Sequence, residues 1–241
     1  MSDPQDFERA WLEKLTCCLD EIAGEDIRRQ VMQGSERLSS QSDRGEVIAW
    51  SQQAMERLDA LVDEKERRDI MTGCACQYPK SELQEARQIY EATGDIDLAH
   101  RKLQEQFETF LKDVLALDDD LFAEVVRRGL GLAGVRHGDT IIATKIPKSG
   151  FLVEYMREAD PERRRQCYCH CPRIREALKT SEAIPATYCY CGAGFYKGIW
   201  EEILQQSVEV EVLESVLQGD DACKIAIYVE KPETLIVCGG G

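Results

Sequence analysis

The sequence predicts an α+β protein: a helical N-terminal half packed on a C-terminal antiparallel sheet with one or two helices. Three observations carry this. Apolar residues recur at three- and four-residue steps up to about residue 137, they alternate in short runs after residue 138, and turn residues separate those runs. The division therefore falls at 1–137 and 138–241. With no long linker at the boundary, the two regions are expected to form one compact unit.

In "GEVIAWSQQAMERLDALVDEKERRDIM", Val47, Ile48, Ser51, Ala54, Met55, Leu58, Leu61 and Val62 share one face of a helix, with charge opposite. Gly73 is expected to end that helix as a left-handed cap. Ser81 with Gln84 reads as a capping box opening the next helix, and Asp95 caps a third that runs to about Leu117. "DDDLFAEVVRRG" starts a shorter helix at an acidic end, where the helix dipole favours carboxylates. "DTIIATKI" and "FLVEYM" have strand composition, with Pro147, Ser149 and Gly150 between them supplying a turn. "GFYKGIWEEILQQ" reads as a helix. In "SVEVEVLESVLQGDDACKIAIYVE", Val208, Val210 and Val212 alternate with Glu209 and Glu211, and Gly219 to Asp221 make the turn of a hairpin. The terminal "CGGG" is expected to fray.

Forty-five acidic against thirty basic residues give a net charge of −15, which opposes binding to nucleic acid or to an anionic membrane. Neither is expected as a partner; a small molecule is, and a homodimer stays open. The start, "MSDPQDFERAW", has no basic segment followed by an apolar run, and no stretch approaches the ~20 apolar residues of a membrane span. A cytoplasmic location is expected.

Eleven cysteines are too few for a disulfide scaffold and more than packing requires. Five fall in "CYCHCPRI" and "YCYCGAGFYKG". If both stretches are extended, pleating puts Cys167, Cys169 and Cys171 on one face opposite Tyr168 and His170, and Cys189 with Cys191 opposite Tyr188 and Tyr190. Adjoining strands at ~4.8 Å would let Cys169, Cys171, Cys189 and Cys191 surround one ion at the ~2.3 Å of a zinc–sulfur bond. Zinc is the expected metal, with an iron–sulfur cluster as the alternative.

Cys74 and Cys76, after the helix end at Gly73, are candidate replacements in that set. Cys17 and Cys18, adjacent on a helix, cannot face one point together and are left out. Cys223 alternates in phase with Ile225 and Ile227, which makes it core by pattern, and Cys238 is uninformative.

Two other readings of the thiols stay open. They can line a buried face as small hydrophobes. Alternatively they are reactive: Arg163, Arg164, Arg165, Arg173 and Arg175 surround the first cluster, and nearby cations raise the thiolate fraction. Candidate ligand contacts are His170, on the face opposite the cysteines, Arg173 for an acidic group, and Tyr190, Tyr196 and Trp200 for an aromatic-lined pocket. Gly192 and Gly194 leave backbone amides open to an anion. No Ser-His-Asp order, H-E-x-x-H or phosphate-loop motif occurs.

Residues 188 to 229, "YCYCGAGFYKGIWEEIL" followed by "VEVEVLESVLQGDDACKIAIYV", resemble the C-terminal part of 4-vinyl reductase-type ligand-binding domains and of the related L-2-amino-thiazoline-4-carboxylic acid hydrolase-like proteins. The shared pattern is a cysteine segment, a helix, and a hairpin whose turn carries Gly219 and Asp220 before Cys223. "GCACQYPK" and "CHCP" resemble segments of cysteine-rich relatives. The resemblance implies a mixed α/β ligand-binding fold with cysteines that bind metal in some members. The doubled C-x-C pairs depart from that pattern.

The leading expectation is a small-ligand-binding protein with a cysteine-ligated metal site. A thiol-dependent hydrolase or redox enzyme acting on a small acidic substrate is the alternative, and a structural or interaction protein the third.

Overall fold

A computed structural model describes residues 4–39 and 41–229. The C-terminal "CGGG" and Cys238 lie outside the described residues. Two helices open the chain, α1 (Pro4–Ile22) and α2 (Glu25–Val31). The long periodic stretch that follows is two helices, α3 (Arg44–Leu61) and α4 (Glu64–Gly73), where one was expected. The break has a local cause. Asp63 accepts from Glu66 N at 2.8 Å while the Glu66 carboxylate accepts from Asp63 N at 3.4 Å, so a reciprocal capping box starts a new helix.

Gly73 is the last residue of α4 and not a left-handed cap. Its role is closeness: a Cβ there would lie 2.5 Å from Cys18 Sγ on α1. The next helix, α5 (Lys80–Thr93), starts after Pro79 with no side-chain cap, so the box expected from Ser81 and Gln84 is not formed. Asp95 does cap α6 (Ile96–Thr109), accepting from Asp97 N at 2.8 Å and Leu98 N at 3.3 Å, and a π-helical turn over Phe110–Val114 continues it. Asp118 caps the acidic start of α7 (Asp119–Arg127).

The sheet begins with β1 (Val135–His137) and β2 (Thr140–Thr144). "FLVEYM" then forms α8 (Leu152–Arg157) rather than a strand; its buried residues, Leu152 and Tyr155, are three apart on one helical face. A six-residue apolar run suits either period, and packing decides which is used. Three more helices follow: α9 (Pro161–Tyr168), α10 (Pro172–Ala177) and α11 (Tyr190–Leu204). The hairpin closes the fold as β3 (Glu209–Glu214) and β4 (Lys224–Tyr228), with Gly219 at φ 94° in its turn. The four strands are antiparallel in the order β1-β2-β4-β3. Fold class is thus α+β, with the helices concentrated toward the N-terminus. Among the described residues no helix is long and apolar enough to cross a membrane.

Two apolar clusters cross the boundary at residue 137. One joins Trp11, Leu15, Met55 and Leu58 to Tyr168, Ile174 and Tyr188. In the other, α11 is buried between α5 and α6 on one side and the sheet on the other, through Tyr196, Ile199, Trp200 and Ile203. Removing such faces from water supplies roughly 25 cal/mol per Å² of apolar area.

α11 also touches α4 without a side chain between them. A Cβ on Gly194 would sit 2.1 Å from the Thr72 carbonyl oxygen, and backbone cannot give way as a side chain can. Gly194→Ala is therefore expected to destabilise by about 2 kcal/mol, overpacking outweighing the better helix propensity of alanine. A lowered urea midpoint is the readout; an unchanged one would mean that the two backbones do not meet there.

Candidate functional site: a cysteine-lined cavity

The cysteine segments are not strands. Asp160 caps α9, accepting from Glu162 N at 2.9 Å and Arg163 N at 3.0 Å, with Pro161 at the first helical position. α9 runs through Cys167 to Tyr168. Cys169 (φ −71°, ψ 136°) and Cys171 (φ −67°, ψ 120°) are extended, the second because Pro172 disfavours helical geometry in the residue before it. Cys169, His170 and Cys171 are thus a hinge between α9 and α10. Cys167 is on the helix beside Glu154, whose carboxylate, after burial, raises its pKa.

Pro185 starts a 3₁₀ turn over Ala186–Cys189, and Cys191 lies in the first turn of α11. Two residues along a helix point in widely different directions, so Cys189 and Cys191 do not share the face that pleating would have provided.

The sulfurs nevertheless converge. Cys76, Cys169, Cys171, Cys189, Cys191 and Cys223 line one cavity of about 280 Å³. Its remaining wall includes Trp11, Lys145, His170, Tyr188, Phe195 and Tyr196. Among the described residues no three of His, Cys, Asp or Glu are arranged to hold a metal ion, and the described cysteines are free thiols. Instead the sulfurs have hydrogen-bond partners. Cys171 Sγ is 3.3 Å from Tyr188 Oη, Cys189 Sγ is 2.9 Å from Ser215 Oγ, and Cys191 Sγ is 3.7 Å from the Cys74 carbonyl oxygen.

Cys223 stands apart from the others. The Cys189 thiol hydrogen-bonds to its sulfur, and the Lys145 ammonium is near; together these outweigh burial and lower its pKa to about 7. Cys189 is raised by giving its proton to that bond and by burial. Ser215 Oγ accepts from Leu217 N at 3.1 Å and lies 2.9 Å from Cys189 Sγ, which holds that sulfur in place. Burial pushes Cys169 up to about 11 and Cys191 up to about 12.

Lys145 is positioned by the sheet. One residue beyond β2, its N–H donates to the Cys223 carbonyl at 2.9 Å. The Tyr168 hydroxyl donates to the Lys145 carbonyl and accepts from Cys223 N at 2.9 Å, tying the lysine and the cysteine together. Burial opposes charge on Lys145, yet Cys169, Cys223, Tyr196 and Cys171 around it raise its pKa. No carboxylate forms an ion pair with it among the described residues.

The other expected contacts divide. Tyr196 and His170 line the cavity. His170 Nε2 lies 3.0 Å from the Ile146 carbonyl, and burial of the ring with Lys145 nearby lowers its pKa, an effect that solvent screens because part of the residue is exposed. Arg173 is fully buried and already engaged: it donates to Tyr188 Oη at 3.1 Å and to the Glu8 carboxylate, and its guanidinium lies 4.0 Å from the centre of the Trp11 ring. It supports the wall through Tyr188. Tyr190 carries Arg68 over its ring at 5.1 Å, and Trp200 stacks on His100 at 6.1 Å; neither lines the cavity. Cys74 is buried outside the cavity against Cys18, whose pKa its hydrogen bond lowers to about 7.

Sequence reading missed Lys145, Ser215 and Trp11 as site residues and placed Cys223 in the core. Only the phase of Cys223 in its strand hinted at an inward sulfur.

Fold and cavity together define an α+β protein with an enclosed site walled by thiols. Residues 162–234 match a family of unknown function (DUF6144), a span that holds the cysteine hinge, α11 and the hairpin. No curated protein and no solved structure matches the chain.

Proposed function

We propose that the protein binds a small molecule in the thiol-lined cavity and that the Cys223 thiolate attacks an electrophilic atom of it. The observation that carries this is that Cys189, Cys223 and Lys145 line one largely apolar cavity. A thiolate is the nucleophilic form, and a hydrogen bond plus a nearby cation is what sustains it near neutral pH. Such chemistry suits the cytoplasm, where thiols stay reduced. The ligand-binding part agrees with what the resemblance to 4-vinyl reductase-type domains implies.

Alkylation by iodoacetamide, followed peptide by peptide with mass spectrometry, tests it. In a Cys18→Ser background, which removes the other thiol lowered to about 7, Cys223 is expected at pH 6.5 to label ahead of the exposed Cys17 and Cys76, with a rate that rises with pH about a midpoint near 7. Cys223→Ser should remove that fast phase. Slow labelling of all thiols at similar rates would reject the proposal.

Metal ligation is a second reading, favoured by six soft donors on one wall. Cys169, Cys171, Cys189 and Cys191 would hold zinc or an iron–sulfur cluster after Cys171 and Cys189 leave Tyr188 and Ser215. Stoichiometric zinc or iron in anaerobically purified protein would favour it over the free thiolate.

A further inference from the structure

The thiol cavity is not isolated. A second, more polar cleft of about 460 Å³ lies between α4, α5 and α11, and the two spaces share Cys76 and Phe195 in their walls. Cys76 is exposed, and Phe195 packs edge-on against Tyr78, 6.1 Å between centroids, on the side of the outer cleft.

Glycines in α11 mark both spaces. A Cβ on Gly192 would stand 3.8 Å from Lys145 Nζ in the inner cavity, and one on Gly198 would meet nothing within 4 Å in the outer cleft. Glycine inside a helix costs about 1 kcal/mol relative to alanine. At Gly194 close packing on Thr72 accounts for it; at Gly198 no packing does.

Each space also presents polar groups that a ligand can use. Inside, Lys145 has no carboxylate partner among the described residues, and the Trp11 indole, 3% exposed, is turned toward Cys191. Outside, charges of both signs line the cleft: Lys80 pairs with Glu202 at 2.7 Å, and Lys197 with Glu201 at 3.4 Å. The Lys80 side chain is 73% exposed, and Glu202, 13% exposed, is also paired with Arg87 at 2.9 Å, so a ligand can draw Lys80 away and leave Glu202 partnered.

We propose that the two spaces form one bipartite site for disulfides that carry a zwitterionic amino-acid body on one sulfur and a small apolar group on the other. The apolar end enters the thiol cavity and the charged body rests in the outer cleft. This rests on Cys223 being the nucleophile. Its thiolate attacks the sulfur bearing the apolar group, and the S–S bond breaks. The amino-acid thiolate leaves into the outer cleft, the better leaving group because its thiol is the more acidic. Cys189 then attacks Cys223 Sγ in the mixed disulfide, its proton passing to the departing apolar thiolate. One disulfide is reduced to two thiols while Cys189 and Cys223 are oxidised to one disulfide.

The test uses the full chain, with the methyl disulfide of cysteine as probe and dimethyl disulfide as its uncharged counterpart. Formation of the Cys189–Cys223 disulfide is followed by mass spectrometry. Gly198→Trp, which projects into open cleft, is expected to slow the charged probe at least tenfold and to leave the uncharged one within twofold. Lys80→Glu should slow the charged probe about threefold without changing the fold. Equal slowing of both probes, or no slowing of either, overturns the bipartite site. If Cys223 in the unaltered protein also fails to alkylate, the nucleophile itself is wrong; if it alkylates normally, only the substrate class falls.

Discussion

Lys145→Met is expected to lower the rate of Cys223 alkylation at pH 7 by tenfold or more and to move the midpoint of its pH profile upward. The direction follows from the opposing influences on that sulfur. The Cys189 hydrogen bond and the Lys145 charge favour the thiolate, and burial disfavours it. An opposite charge at close range typically shifts a pKa by 1–3 units, so removing the ammonium lets burial gain ground. Methionine fills a similar volume, and the backbone bonds of residue 145 to Cys223 and Tyr168 do not involve the side chain.

Stability should report the same change. A thiol whose pKa in the fold lies near 7, against roughly 8.5 when unfolded, stabilises the protein fully above pH 8.5, and the contribution is lost as pH falls through 7. The urea midpoint of the unaltered protein should therefore gain on that of the variant between pH 7 and 8.5. Equal alkylation rates in the two proteins would show that the lysine does not sustain the thiolate.

Arg173→Met is expected to destabilise the fold by about 2 kcal/mol or more, because a hydrogen bond to a charged group contributes about 1.5–3 kcal/mol and this side chain makes two of them. The guanidinium is fully buried, and Glu8, whose side chain is 13% exposed, is left with only its ion pair to Arg44 at 2.8 Å. Tyr188, itself buried, loses its donor, and Trp11 loses the cation over its ring. The consequence reaches the cavity because Tyr188 Oη is the partner of Cys171. Adding Glu8→Gln should restore little, because Arg44 still balances that carboxylate. A loss under about 1 kcal/mol in urea unfolding would mean that the pair is solvated in the native protein.

Local chemistry was readable where it is short in range. The cap at Asp95, the acidic start of α7, the strands β2, β3 and β4, and the turn at Gly219 each depend on residues within a few positions, and each forms as expected. The capping box at Asp63 was equally local and was hidden by a face of apolar residues that runs across the break. The strand reading of the cysteines failed because C-x-C fits a pleat in isolation, whereas Pro161, Pro172 and Pro185 set up helical turns around it.

From the residue order alone follow the helix-then-sheet arrangement, the net charge of −15, and the concentration of thiols in two segments. Which sulfurs share a cavity had to wait for the folded chain. α11 must pack on α4 and the hairpin must pair with β2 before Cys189 and Cys191 meet Cys76 and Cys223. Lys145 acquires its meaning in the same way, since a lysine after a strand is ordinary until packing removes the water around it and surrounds its charge with sulfur. Local spacing sets which way a segment turns, but the electrostatics of an enclosed site arise from groups brought together across the whole chain.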